Sequence, residues 1–287
     1  MKKILVTGAN GQLGKELRDW SIHHPNSFEF LFLSREDLPI HHFELVHNVF
    51  GSFRPDYCIN CAAYTAVDKA ESEKELAYLV NAESVGILAA VAASQGCRFL
   101  HVSTDYVYNG NAPMPHTEND APMPVSVYGA SKLKGEQEAL LHDQMAIIIR
   151  TSWVYSVYGN NFVKTMLRLM NERTSISVVN DQTGSPTCAA DLASFILHII
   201  RFKEWIPGLY NFSNEGAITW YDFACEIKSI TGATCEVLPI PTSQYPTPAS
   251  RPANSLMSKE KIRQVFGYTP PDWKQSLRRC LEALAGK

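Results

Sequence analysis

A short apolar run, Lys3-Ile4-Leu5-Val6, leads directly into Thr7-Gly8-Ala9-Asn10-Gly11-Gln12-Leu13-Gly14 and then into a helical pattern. This feature most restricts what the chain can become. A strand that turns at once into a helix needs dihedrals that glycine adopts freely. The helix then begins with free N–H groups and the positive end of its dipole, which together attract an anion. Glycines at this turn also let a pyrophosphate approach the backbone. The spacing is G-x-x-G-x-x-G rather than the commoner G-x-G-x-x-G. Its position after the first strand and at the opening of the first helix supplies the required context. Gly8, Gly11 and Gly14 are therefore expected to line a dinucleotide cofactor.

The pattern that follows extends this reading. Apolar runs at Ile4–Val6, Phe30–Leu33, Tyr57–Cys61, Phe99–Val102 and Ala146–Ile149 read as strands buried on both faces. Helical patterns at Gln12–Ser21, Phe43–Phe50, Glu73–Ser94 and Ser126–Leu141 alternate with them. This β-α-β alternation predicts an α/β fold with a doubly wound, parallel, Rossmann-type sheet. The second half is less regular. Helices are expected at Phe162–Met170, Ala190–Phe202, Trp220–Thr231 and Trp273–Ala285. Strands are expected near Ser175–Val179, Leu209–Phe212 and Glu236–Pro239. Pro241–Pro252, with four prolines, reads as a loop. Residues 1–152 are expected to form the dinucleotide-binding domain, with a later segment returning to it. Residues 153–287 are expected to form mainly a smaller substrate-binding lobe.

Composition narrows the function classes. A net charge of −3 offers no basic footprint for nucleic acid. No apolar run is expected to reach the roughly 18 residues of a membrane span, and the N-terminus does not read as a secretory signal. The chain is expected to be soluble and cytoplasmic. Its seven cysteines are an odd number, which argues for reduced thiols. Cys58 and Cys61 form C-x-x-C, but Tyr57-Cys58-Ile59-Asn60-Cys61 reads as a buried strand rather than a redox or metal pair. No histidine spacing supports a metal.

Three further segments carry chemistry. Tyr128-Gly129-Ala130-Ser131-Lys132 is Y-x-x-x-K on a helix, so phenol and ammonium share one face. The lysine cation is expected to lower the phenol pKa and make Tyr128 an acid–base group. Ser103-Thr104-Asp105-Tyr106 ends an apolar strand at the carboxyl edge of the sheet, where open α/β folds place ligands. Thr104 there is suited to hold a substrate carbonyl oxygen. Asn60-Cys61-Ala62-Ala63-Tyr64 ends the strand before it, with small side chains that let a nicotinamide riboside lie close. After the second strand comes Leu33-Ser34-Arg35-Glu36-Asp37-Leu38-Pro39-Ile40. Ser34, Arg35 and Ile40 are expected on the adenosine side. Arg35 suits a 2′-phosphate, and the neighbouring acids suit the 2′-hydroxyl of NAD, so NADPH and NADH both stay open.

These motifs together resemble the extended short-chain dehydrogenase/reductases. Arg150-Thr151-Ser152-Trp153-Val154-Tyr155, Asp181-Gln182-Thr183-Gly184-Ser185-Pro186-Thr187 and Arg251-Pro252-Ala253-Asn254-Ser255 narrow the resemblance to the dTDP-4-dehydrorhamnose reductase family. The resemblance implies an NAD(P)H-dependent reductase acting on the C4 keto group of a dTDP-sugar. It implies Tyr128 as proton donor, Lys132 as its partner and Thr104 as the third catalytic hydroxyl. It places Asn10, Gly11, Gln12, Leu13, Ala62, Ala63, Tyr64, Tyr128 and Lys132 at the cofactor. Thr104, Asp105, Tyr106, Trp153 and Arg251 go to the nucleotide-sugar. It is compatible with a monomer or weak homodimer. The alternatives are a non-catalytic regulatory subunit like that of methionine adenosyltransferase, and another nucleotide-sugar reductase or an epimerase. Two positions depart from the family. Many relatives have Leu-Asp-Ile where this chain has Leu38-Pro39-Ile40. Some bind magnesium with a first-helix carboxylate, matched by Glu16, and a later glutamate, matched here by Ala190 with Asp191 one residue on. One residue is about 100° of helix, so no metal is expected.

Overall fold

The computed structural model describes residues 1–286. Its centre is a six-stranded parallel sheet. The first five strands are β1 (Lys3–Thr7), β2 (Glu29–Leu33), β3 (Tyr57–Asn60), β4 (Arg98–Thr104) and β5 (Ile147–Thr151). The sixth, Gly208–Phe212, returns from the second half of the chain. Across the sheet the order is β2, β1, β3, β4, β5, then Gly208–Phe212. The chain moves from β1 outward to β2, then crosses back to β3 on the other side. That reversal opens a crevice at the carboxyl ends of β1 and β3, the place where such sheets bind ligands.

The period-2 geometry of the strands sorts the core into two layers. Ile4, Val6, Ile59, Ile147 and Ile149 face one layer, with Leu13 and Leu17 of the first helix and Leu192, Phe195 and Ile196 of the helix Ala189–Arg201. Leu5, Cys58 and Ile148 face the other, with Val46 and Phe50 of the helix Phe43–Phe53 and Val85, Leu88 and Ala92 further on. Cys58 is thus core, burial pushes its thiol well up, and all seven cysteines are free.

A separate cluster gathers residues from the second half. Val163, Met166, Phe223, Ile227, Trp273 and Leu277 pack beside a two-stranded parallel pair, Ser175–Val179 with Glu236–Ile240. Two short helices, Val67–Ala70 and Glu260–Phe266, have no counterpart among the sequence-based expectations. Four and seven residues are too few to display helical periodicity. One segment reads differently from the sequence expectation for membranes. Lys74–Ser94 is a helical stretch of 21 residues, long and apolar enough to pass a membrane-span test. More than half of it is buried inside the fold. Its composition follows from packing against the sheet on one side and the helix Val127–His142 on another.

That stretch contains a π-helical turn, Leu79–Glu83. The wider turn places Asn81, fully buried, against Tyr64 and Ser131. Asn81 Oδ1 accepts from Tyr64 N at 2.8 Å, and Nδ2 donates to Tyr64 O and to Ser131 Oγ, each at 3.0 Å. The approach of the two helices leaves no room beyond hydrogen at Gly135, where a Cβ would stand 2.0 Å from the Asn81 carbonyl oxygen. Gly135→Ala is accordingly expected to destabilise the fold by ~1–3 kcal/mol, because a packed interface must move apart. Equilibrium urea unfolding checks this, and a variant as stable as the parent would show that the helices are free to separate.

Candidate active site

The crevice at the switch point is a cavity of about 420 Å³. Its floor comes from two sharp chain exits. After β1, Gly8 takes φ +66°, and a Cβ there would lie 2.5 Å from the Ala62 backbone nitrogen. Glycine is therefore required by conformation and by the close approach of the chain leaving β3. Gly11 precedes the first helix, Gln12–His23, with extended backbone and no side-chain cap. The leading N–H groups are left to an outside acceptor, as an anion site requires. Asn10, Gly11, Arg35, Ile40, Ala62, Ala63 and Tyr64 line the same cavity.

Six expected cofactor residues do not line it: Tyr128 and Lys132, which lie at the end of β4, and four others. Leu13 and Gly14 are buried beneath the loop, Leu13 in the core. Gln12 turns away: its Nε2 donates to Val154 O at 3.4 Å and its Oε1 accepts from Asn161 at 2.9 Å. Ser34 closes a turn instead, exchanging hydrogen bonds with Asp37 at 2.9 and 3.3 Å. Pro39, His41 and Cys61 line the cavity without having been assigned to the cofactor, and so does Glu36, one of the acids beside Arg35. Pro39 presents an apolar ring to that wall. Arg35 and Glu36 sit side by side at the rim, both exposed.

Thr104, Asp105, Tyr106, Tyr128 and Lys132 converge where β4 ends. Ser126 caps the helix Val127–His142 by accepting from Gly129 N at 3.1 Å, which fixes the first turn and with it Tyr128. The helix is anchored about two turns after Tyr128. Arg150 grips Glu136 with two hydrogen bonds, 2.9 and 2.6 Å, and Ser103 donates to the same carboxylate at 2.6 Å. All three residues are buried, and the fork geometry of guanidinium suits such a pair.

The electrostatics of Tyr128 correct the sequence expectation. Burial pushes its phenol up to about 12, the Thr104 hydroxyl beside it holds the rise in check, and Asp105 adds to it. The lysine does not lower it. Lys132 Nζ points to β4, donating to Val102 O at 2.6 Å and lying 3.1 Å from His101 Nε2. Spacing of four residues put both groups on one helix face, but β4 decided where the amine goes. Burial pushes the Lys132 amine down to about 8, against the pull of Glu136 and Cys61.

Around the phenol, Thr104 Oγ1 accepts from Tyr106 N at 3.2 Å and donates to Asp105 Oδ1 at 3.1 Å. Tyr106 meets Tyr128 edge-on, with ring centroids 5.4 Å apart. Asp105 is 2% exposed, burial pushes its carboxyl up to about 6 against the opposing pull of the Ser255 and Thr104 hydroxyls, and its Oδ2 makes no hydrogen bond of ordinary geometry among the described residues. An orphaned buried oxygen is costly and marks a position where a ligand hydroxyl is wanted.

Trp153 and Arg251 take more committed positions. Trp153 adopts φ +48° and stacks on Trp220 at 3.6 Å. Arg251 pairs with both oxygens of Asp68, at 3.1 and 2.9 Å, and also donates to Ala249 O. It thereby ties the proline-rich loop to the helix Val67–Ala70. Asp68 carries no local signal in the sequence, since its partner lies 183 positions away. Asp191 likewise spends its carboxylate internally, on Asn214, Ser276 and Arg279, while Glu16 accepts from Ser156.

The dinucleotide fits the crevice on its own evidence: an uncapped helix start, a glycine-floored backbone approach and an apolar cavity beside a buried tyrosine. Comparison with known proteins agrees. The model of the RmlD substrate binding domain matches residues 1–285. A dTDP-4-dehydrorhamnose reductase of Aggregatibacter actinomycetemcomitans is 42% identical, over 97% of this chain and 98% of its own. The crystal structure of the Clostridium acetobutylicum enzyme of that name superposes with TM-score 0.95 at 40% identity, covering 99% of each chain. That of Bacillus anthracis, solved in complex with NADP, gives TM-score 0.95 at 39% identity, over 99% of this chain and 100% of its own. With a family model across nearly its whole length and relatives this close, the chain belongs to the dTDP-4-dehydrorhamnose reductase family.

Proposed function

We propose that this chain reduces the C4 keto group of dTDP-4-dehydro-6-deoxy-L-mannose to give dTDP-L-rhamnose, using NADPH or NADH. The observation that carries the reading is the meeting of Thr104, Tyr128 and the orphaned Asp105 oxygen at the carboxyl end of β4, beside the switch-point crevice. When bound, the cofactor supplies the hydride. Gly8, Asn10, Gly11, Ala62, Ala63 and Tyr64 would hold it, with Arg35 at the adenosine end. The Thr104 hydroxyl fixes the C4 oxygen and Tyr128 Oη gives it a proton, leaving an alcohol and a phenolate. A phenol that stays protonated up to about 12 suits this direction, because reduction consumes the protonated form. Asp105 takes a sugar hydroxyl, and Trp153 and Arg251 lie toward the nucleotide.

Residues 1–152 together with Gly208–Phe212 form the cofactor half in this reading, and 153–287 mainly the sugar-nucleotide half. The enzyme works in the cytoplasm, where sugar nucleotides are made, as a monomer or weak homodimer. Incubation with dTDP-4-keto-6-deoxyglucose, the matching epimerase and NADPH tests the reaction. NADPH oxidation with dTDP-L-rhamnose as product is expected. A tightly held dinucleotide released only on denaturation, with no net oxidation, would indicate an epimerase instead.

Tyr128→Phe is expected to lower kcat by ~10²–10⁴-fold, the usual range for losing a general acid, with NADPH affinity nearly unchanged. Steady-state kinetics with a dinucleotide titration checks it, and near-parental turnover would remove Tyr128 as the acid. Gly11→Val is expected to weaken NADPH by at least about tenfold, since branched methyls would fill space the pyrophosphate needs. The fold should tolerate it, because Gly11 has an ordinary φ of −71° and its Cβ would meet only the Gly8 carbonyl oxygen, at 3.2 Å. Unchanged affinity would reduce the loop to a plain turn.

Magnesium plays no part in this reading, because the Asp191 carboxylate is already taken up by Asn214, Ser276 and Arg279. Activity and sedimentation are expected to be the same with and without EDTA. A loss on chelation that magnesium restores would overturn this.

A further inference from the structure

One residue of the first helix faces two ways. Gln12 opens the helix, so its backbone N–H is among the uncapped donors at the crevice floor. Its side chain runs away from the crevice, into the second half of the chain. Nε2 donates to Val154 O at 3.4 Å, and Oε1 accepts from Asn161 Nδ2 at 2.9 Å. Gln12, Glu16 and Asp19 stand at i, i+4 and i+7, on one face of the helix. The other two continue the contact. Glu16 Oε1 accepts from Ser156 Oγ at 2.5 Å, and Asp19 accepts from Tyr158 Oη. A strap of chain, residues 153–161, thus lies along this face. It lies close: a Cβ on Gly159, which takes φ +62°, would stand 3.0 Å from Gln12 Cγ.

The strap begins beside the reacting groups. Thr151 of β5 stands opposite Thr104 of β4 in the sheet register, and Trp153 follows two positions on. Trp153 is partly exposed, and its indole stacks on Trp220 at 3.6 Å. Its backbone, at φ +48°, is left-handed, a conformation that a bulky residue keeps only where its surroundings impose it. Two contacts restrain the chain at the next residue. Val154 and Tyr155 pair with Thr187 and Cys188, and the Gln12 amide holds the Val154 carbonyl. Asn161 closes the far end. Its Nδ2 also donates to Ser156 O at 2.7 Å and to Tyr158 O at 3.2 Å. Its Oδ1 accepts from Lys164 N at 3.1 Å and caps the helix Phe162–Glu172.

We infer that Gln12 is a positioning residue for the sugar nucleotide and not for the dinucleotide: its side chain seats residues 153–161 on the first helix and so fixes Trp153 at the edge of the site. Only its backbone N–H serves the phosphates. Glu16 and Asp19 hold the strap at Ser156 and Tyr158, further from the Trp153 peptide than the Val154 carbonyl that Gln12 holds. Truncating Gln12 to alanine keeps the helix start and its N–H, removes both ends of the amide and frees that carbonyl. The Trp153 backbone can then leave the left-handed region, and the indole its stack. The link to the sugar nucleotide rests on the reductase reading; the seating of Trp153 does not.

Calorimetric titration of the full-length chain with dTDP-L-rhamnose and, separately, with NADPH tests this division. Gln12→Ala is expected to weaken dTDP-L-rhamnose by about three- to tenfold, the usual net worth of one hydrogen bond, and to leave the NADPH dissociation constant as it is. Circular dichroism reads the seating directly, because two stacked indoles couple their electronic transitions. The couplet that Trp153→Phe abolishes should shrink in Gln12→Ala. Asn161→Asp reaches the same contact from the strap. It keeps the oxygen that caps the helix Phe162–Glu172 and loses the amide donor to Gln12. The same division and the same weaker couplet are expected, and this variant decides should Gln12→Ala fail to fold. Unchanged affinity for dTDP-L-rhamnose would overturn the inference, as would an unchanged couplet or a loss that falls on NADPH. A parent chain that does not bind dTDP-L-rhamnose refutes the reductase reading, and the couplet then decides the seating of Trp153 alone.

Discussion

The side-chain amide of Asn60 ties together three neighbouring strands, adding side-chain bonds to a ladder that already pairs Thr7 with Asn60 and Asn60 with His101. Its oxygen receives Thr7 of β1 and the N–H of Ala62, and its nitrogen meets His101 of β4. It is completely buried, so each lost partner would leave an unsatisfied polar group at a cost of about 1–3 kcal/mol. The crevice floor depends on this fixation. Gly8 and Ala62 lie so close that a Cβ on Gly8 would collide with the Ala62 backbone, and the cavity is lined by the segments on either side of that contact.

A second buried network fixes the helix that bears Tyr128 and Lys132. Glu136 and Arg150 sit in the low-dielectric interior with their hydrogen bonds filled by one another, by Ser103 and by Tyr108. Such a pair adds less to stability than its short distances imply, because both ions lose their hydration. Its value lies in geometry. It sets the helix relative to β4 and β5, and the Ser126 cap sets the first turn. Between these two restraints the phenol is held against Thr104. The phenol's high pKa and the lysine's low one have the same origin, the exclusion of water from this junction.

The second half of the chain reaches the site through a few long-range contacts. Arg251 closes on Asp68, and Trp153 is held in a left-handed backbone conformation by its stack on Trp220. The Arg251–Asp68 pair is partly exposed, so its contribution to stability is small. As a tether for the proline-rich loop Pro241–Pro252 it matters more, because that loop carries no regular structure beyond a single 3₁₀ turn at Thr242–Gln244.

By itself, the sequence determined the sheet, its doubly wound character and the glycine loop that floors the crevice between β1 and β3. Those properties are local. Strands buried on both faces read as unbroken apolar runs, and the glycine loop announces a strand-to-helix turn within eight residues. It also brought Thr104 and Tyr128 forward as a pair, because each ends or opens an element at the same sheet edge. Only the tertiary structure decided the electrostatics. Y-x-x-x-K places lysine and tyrosine on one helix face, yet the Val102 carbonyl and His101, thirty and thirty-one positions earlier, take the amine. It decided as well that Gln12 faces Asn161, that Arg251 belongs to Asp68, and that an apolar helix of 21 residues lies inside the fold. Hydrogen-bond partners and desolvation depend on which segments meet in space, and those meetings span dozens to nearly two hundred residues, beyond the reach of any local pattern.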